Sequence, residues 1–262
     1  SPPHVNVTGR NFIVTGGSQG LGLAIARTLK ANGAAGLVLV SRSESKGLEA
    51  CAELNNDNGC TCVWIRADLG DPEDAASIVP RALEKLGDAI IHGVVNAAAV
   101  TARGNLETTT TQEFDSMMNI NVRAPFLVSQ AAAQHMKKHG GSIVNICSVA
   151  AHGGAPFIMA YSVSKAALVA MTKNNAAELA PYKIRVNAVN MGWTFTENED
   201  KLQQTEHPAG KEWVKEADGG VPLGRILRPE DVAGTVGFLL SDASAMMTGS
   251  VIELHPEYAD GL

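Results

Sequence analysis

FIVTGGSQGLGLAIARTL, residues 12–29, joins an apolar run of strand length to a helical pattern through a turn spaced by Gly16, Gly20 and Gly22. Glycine permits unusual backbone angles and lets a ligand approach the free N–H groups that open a helix. The spacing G-x-x-x-G-x-G differs from the common dinucleotide fingerprint G-x-G-x-x-G. It is no P-loop either, because no Lys-Ser/Thr pair follows. Two readings stand at this point: a pyrophosphate resting on the helix start, or a tight strand-to-helix turn without a ligand.

Outward from this stretch the same alternation continues. Strand-length runs lie at 36–41 (GLVLVS), 60–68 (CTCVWIRAD), 89–96 (AIIHGVVN), 141–148 (GSIVNICS), 183–190 (KIRVNAVN) and 249–254 (GSVIEL). Helical patterns separate them, at about 21–32, 44–57, 71–86, 111–138, 160–180 and 228–240. Parallel strands need crossover connections, so the series predicts an α/β fold: a doubly wound parallel sheet of about seven strands with helices on both faces. No repeat or linker divides the chain, which predicts one domain over residues 1–262.

Composition excludes several classes of function. With 45% hydrophobic and 18% charged residues the chain can bury a large core, and its net charge of −6 argues against a nucleic-acid partner. No apolar run reaches membrane-spanning length and no signal-peptide pattern opens the chain, so the expectation is a soluble, cytoplasmic protein. Cys60 and Cys62 form C-x-C without further ligand spacing; they are expected to pack as small apolar groups, and no metal site is expected.

In doubly wound sheets ligands bind beyond the carboxyl ends of the strands. At the end of the second strand an NAD-binding protein places an acid for the ribose hydroxyl. Here Ser41 and Arg42 stand instead, a pair suited to a 2′-phosphate, so NADP(H) is favoured, with NAD(H) the alternative. Farther along, Tyr161 and Lys165 are four apart in a helical pattern and share a face. An ammonium near a phenol favours its ionisation below the ordinary value of about 10. Ser148 ends the preceding strand, on the edge of the sheet that carries the glycine turn.

Together these motifs make the chain resemble a classical short-chain dehydrogenase/reductase over roughly residues 8–254. They are TGGSQGLG (15–22), AD (67–68), VVNAAA (94–99), NINV (119–122), GSIVNICS (141–148), YSVSK (161–165), IRVNAVNMGWTFT (184–196), RPEDVA (228–233) and MTGSVIEL (247–254). The resemblance implies a Rossmann fold, a nicotinamide cofactor and hydride transfer between a carbonyl and a secondary alcohol. It assigns proton exchange to Tyr161, ribose binding and phenol acidification to Lys165, carbonyl polarisation to Ser148 and support of a proton relay to Asn121. Cofactor contacts fall on Gly16, Ser18, Gln19, Gly20, Leu21, Gly22, Ser41, Arg42, Asp68, Leu69, Asn96 and Ala97. At the nicotinamide end they fall on Tyr161, Lys165, Met191, Gly192, Thr194 and Thr196.

Departures from the family pattern bear on those roles. Ala97 and Ala99 replace an asparagine and a glycine, Met191 replaces a proline, and the glycine turn lacks the basic residue of many NADP-using members. Arg42 therefore carries the phosphate argument. Residues 192–225 form the variable substrate loop, whose Trp193, Phe195 and Trp213 mix with Glu197, Glu199, Asp200 and His207. That mixture suits a sugar, polyol or ketose with Ser148, Tyr161, His152 and Trp193 as substrate contacts. The alternatives are an apolar ketone, steroid or acyl substrate, or a nicotinamide-redox sensor without turnover. The resemblance also implies a homotetramer paired through the helices after the fourth and fifth strands.

Overall fold

In the computed structural model, residues 5–56 and 59–256 are described. Seven parallel strands form one sheet: β1 (Asn11–Thr15), β2 (Gly36–Ser41), β3 (Thr61–Arg66), β4 (Gly93–Asn96), β5 (Gly141–Ser148), β6 (Ile184–Met191) and β7 (Val251–Leu254). Their order is β3-β2-β1-β4-β5-β6-β7, so the direction of winding reverses between β1 and β4, where a ligand crevice is expected.

Alternate strand residues face opposite sides. Phe12 and Val14 of β1 bury against α1 (Gly20–Ala31), together with Ile25 and Leu29; Val236 and Leu239 of a later helix, Pro229–Leu240, join the same cluster. Ile13, between them, buries on the other face with Ile78 of α3 (Pro72–Lys85), and Val128 and Met136 of the helix Ala124–Met136 complete that cluster. This two-sided burial explains why the strands read as continuous apolar runs. Helix starts follow side-chain logic. Asp71 caps α3 by accepting from Glu73 N at 2.8 Å and Asp74 N at 3.1 Å, and Pro72 needs no N–H in the first turn.

Two predicted elements differ. The helical run 111–138 is broken into α4 (Thr111–Met118), a π-helical turn (Asn119–Arg123) and α5 (Ala124–Met136), which places Asn121 in the widened turn. The fourth strand is shorter than the run 89–96: it begins at Gly93, while His92 before it still bonds both neighbours, its N donating to Asn11 O at 2.9 Å and its O accepting from Ser142 N at 3.0 Å. Cys60 and Cys62 are core residues, and Cys62 Sγ lies 3.3 Å from Cys51 Sγ of α2 (Glu44–Leu54). Among the described residues no helix is long and apolar enough to cross a membrane.

Candidate active site

The glycine turn is a product of backbone geometry. Gly16 (φ +69°) and Gly20 (φ +51°) occupy the left-handed region, which side chains disfavour. At Gly22 the reason is contact: a Cβ there would sit 2.2 Å from the Gly16 carbonyl oxygen. At the first turn of α1 no side chain caps the N–H groups and no acidic residue stands nearby. A helix start left so is suited to an anion, and a dinucleotide diphosphate fits this donor set. Ser18 is buried in the turn, Leu21 is half-buried against the core, and the would-be Cβ of Gly20 lies 3.9 Å from Thr196 across the cleft.

One strand away, β2 ends at Ser41. Its hydroxyl accepts from Trp64 Nε1 at 3.0 Å, and Arg42 beyond it is exposed. The structure adds a cation that sequence reading passed over. Lys46, in the first helical turn after the cap Ser43, donates to the Gln19 side chain of the glycine turn. Arg42 and Lys46 thus flank the mouth between β1 and β2, and Glu44 is the one carboxylate within residues 41–47. After β3, Asp68 is exposed and its Oδ1 accepts from Gly70 N at 2.9 Å, while Leu69 packs on the sheet. After β4, Asn96 is buried: Nδ2 donates to Asn145 Oδ1 at 2.8 Å and Ser129 Oγ at 3.2 Å, and Oδ1 has no protein partner. The turn through Ala97, where the family has asparagine, is held by Thr15, whose hydroxyl accepts from Ala97 N at 3.1 Å and Ala98 N at 3.2 Å. Thr15 carried no signal of this role in the sequence.

Tyr161 and Lys165 lie on α6 (Met159–Leu179), facing the end of β5, where Ser148 sits. Burial pushes Tyr161 up to about 12, outweighing the nearby Ser148 hydroxyl, which draws the phenol down. The expected acidification by Lys165 is therefore not what the geometry provides. Lys165, itself buried, donates from Nζ to the Ile146 carbonyl at 2.7 Å, and that nitrogen lies 5.5 Å from the centre of the Tyr161 ring. Burial brings the ammonium down to about 8. Asn121 reaches this site through an intermediary. Its Nδ2 donates to Ser164 Oγ at 3.0 Å, and Ser164 Oγ donates to the Tyr161 carbonyl at 2.7 Å. Its amide also clasps Val100 N and O, both at 2.9 Å, fixing the segment after β4.

Past β6, Gly192 N donates to Leu254 O at 2.9 Å, Thr194 Oγ1 donates to Gly192 O at 3.0 Å, and Met191 is half-buried. Thr196 caps α7 (Glu197–Glu206) by accepting from Glu199 N at 3.2 Å. The aromatic residues of segment 192–225 pack on one another. Trp213, fully buried at the start of α8 (Trp213–Gly219), lies 5.2 Å from Trp193 and 6.0 Å from Phe195, ring centre to ring centre. Polar anchors hold the stack, with Trp193 Nε1 on Glu199 at 2.7 Å and Trp213 Nε1 on Asp200 at 2.9 Å. His152, in the short 3-10 turn after Ser148, faces Glu253 of β7 at 3.1 Å. Glu253 and its neighbour Asn190 are further site residues found only when the strands are aligned.

Comparison with known proteins agrees with this arrangement. Residues 15–255 match the family model described as enoyl-(acyl carrier protein) reductase. A protein of Rhizobium meliloti named "Probable galactose dehydrogenase" is 34% identical over 93% of this chain and 92% of its own. The crystal structure of a short-chain type dehydrogenase/reductase from Mycobacterium marinum superposes with a TM-score of 0.87 at 30% identity, covering 98% of both chains. L-Sorbose reductase of Gluconobacter frateurii, solved with NADPH and L-sorbose, gives 0.89 at 26% identity over 98% of this chain and 99% of that one. Sheet order, glycine turn and sequence relatives converge: the chain belongs to the short-chain dehydrogenase/reductase family and is an NAD(P)-dependent oxidoreductase acting on alcohols.

Proposed function

We propose that this enzyme uses NADP(H) to interconvert a carbonyl and a secondary alcohol on a sugar, polyol or ketose, with Tyr161 as the acid and base. The observation that carries the reading is the convergence of Ser148, Tyr161 and Lys165 at the carboxyl edge of β5. A bound nicotinamide supplies or accepts the hydride; the chain's own residues manage the oxygen. Tyr161 donates its proton to that oxygen during reduction, and a phenol held at about 12 is fully protonated for the task at pH 7. Ser148 orients the oxygen as well, and Lys165, with Nζ 5.5 Å from the centre of the Tyr161 ring, supplies positive charge and would hold the cofactor ribose. Asn121 acts through Ser164 to hold Tyr161 in place.

Arg42 and Lys46 support NADP(H) over NAD(H), since both suit a 2′-phosphate. Acceptor-rich side chains near Ser148 support a hydroxylated substrate, as do the sugar-directed names of two relatives. Exposed Phe126 on α5 and Val163 on α6 support pairing of these helices in a homotetramer. The test is a panel of ketoses, polyols and apolar ketones assayed with NADPH and NADH by nicotinamide absorbance. Ketose reduction with NADPH preferred is expected; turnover of apolar ketones alone, or a clear NADH preference, contradicts the reading.

A further inference from the structure

Hydrogen-bond acceptors gather beside Ser148 and Tyr161, and the arginines Arg103 and Arg228 are each paired with a carboxylate. One side comes from strand register, which sets Cys147, Asn190 and Glu253 abreast across β5, β6 and β7, one step before Ser148. Asn190 Nδ2 donates to Glu253 Oε1 at 2.8 Å, and Glu253 Oε2 lies 3.1 Å from His152 Nε2. Asn190 is 1% exposed, yet its Oδ1 has no partner within the protein. A buried carbonyl left in this way calls for a donor from a ligand or water.

The other side comes from α7. Glu199 Oε1 accepts from Trp193 Nε1 and Gln203 Nε2, both at 2.7 Å, which leaves its second oxygen for a further donor. The Glu199 charge acts on the Tyr161 phenol, and that of Glu253 acts on Cys147, the residue before Ser148. Glu199 therefore lies within electrostatic reach of the phenol, and Glu253 within reach of the residue before Ser148. Arg103 pairs with Glu206 at 2.6 Å and Arg228 with Asp218 at 2.9 Å, whereas Lys165 donates to the neutral Ile146 carbonyl and keeps its charge, one positive group against the two carboxylates.

We propose that Glu199 and Glu253 make the pocket charge-selecting: it admits neutral or cationic polyhydroxylated substrates and rejects those bearing a carboxylate, sulfonate or phosphate. The inference rests on the proposed hydroxylated substrate and narrows it. An ionised carboxylate only accepts hydrogen bonds, so substrate hydroxyls find partners there. An anionic substrate brings further acceptors and meets like charge in a partly desolvated cleft.

The test compares kcat/KM, with NADPH, for a hexose-sized ketose, the keto-aldonate of equal length and the corresponding amino-ketose. The full chain and its E199Q, E253Q and doubly substituted variants are assayed. Expected is a preference of at least about tenfold for the neutral ketose over the keto-aldonate, with the amino-ketose equal or better. The double variant narrows the neutral-to-anionic ratio by a similar factor, and each single variant moves it part of the way. Equal turnover of ketose and keto-aldonate, or a ratio unmoved in properly folded variants, overturns the proposal. If only apolar ketones react, the hydroxylated-substrate reading fails by itself. The same ratio taken on an apolar ketone and its carboxylated analogue then decides the charge claim separately.

Discussion

The two ends of the cleft are opposite in chemical character. At the β1–β2 end, uncapped N–H groups of α1 join Arg42 and Lys46 in a region of donors and positive charge. At the β5–β7 end, Glu199, Glu253 and the orphaned Asn190 oxygen form a region of acceptors and negative charge. Tyr161 stands toward the second end, protonated, and so donates into surroundings that otherwise accept. The difference teaches that polarity along the cleft, as much as its shape, orients a long polyanionic cofactor. On the proposed reading, phosphates would be drawn to one end and repelled from the other.

Substitutions separate the two ends. The largest effect is expected from Tyr161→Phe, which removes the one proton donor; kcat should fall about 10²–10⁴-fold while NADPH binding, read by fluorescence titration, stays within error. In the parent enzyme, reduction should be flat from pH 6 to 7, below the titration of Lys165, whereas oxidation, which needs the phenolate, should climb about tenfold per pH unit over the same range. Flat oxidation would remove Tyr161 as the operative base. Trp213→Ala should empty the centre of the aromatic stack in segment 192–225 and cost about 3–5 kcal/mol if that stack unfolds with the whole. A denaturant midpoint that does not move would show that this segment opens independently of the sheet.

At the other end, Arg42→Ala combined with Lys46→Ala should weaken NADPH by about 1.5–3 kcal/mol per lost charged hydrogen bond and leave NADH unchanged. Parallel losses for both cofactors would mean these residues act on something other than the 2′-phosphate. A further effect concerns stability and its dependence on pH. Burial lowers Lys165 from an ordinary 10.5 to about 8, so between these values the unfolded chain holds the proton that the folded chain has released. The cost of the buried ammonium is complete below pH 8 and fades as pH rises to 10.5. Lys165→Met should therefore raise the Tm at pH 7 and lose that advantage by pH 10. An unchanged difference between the two pH values would show that Lys165 carries no such linkage.

Most of the sheet was legible because its signals are local. Two-sided burial makes each strand an unbroken apolar run, and Gly16 and Gly20 mark a backbone that turns through the left-handed region. Ser148, Tyr161 and Lys165 were legible as well, two of them by helical spacing. What escaped depends on register and burial, which no short window contains. Glu253 meets His152 only because β7 lies beside β6, and Lys46 meets Gln19 only because α2 starts against the glycine turn. The sign of the Tyr161 shift escaped for the same reason. Proximity of Lys165 in sequence suggested an acidified phenol, but burial of the phenol reverses the outcome. The aromatics of 192–225, read as a lining for substrate, chiefly stack on Trp213, leaving Glu199 as the polar group they present.

The polarity of the cleft is tested most directly by a crystal structure of the full chain with NADP(H). The account predicts the diphosphate against the turn Gly16–Gly22, the 2′-phosphate between Arg42 and Lys46, and the nicotinamide beside Tyr161. A dinucleotide bound in the reverse direction, or a phosphate seated near Glu199 and Glu253, would contradict it.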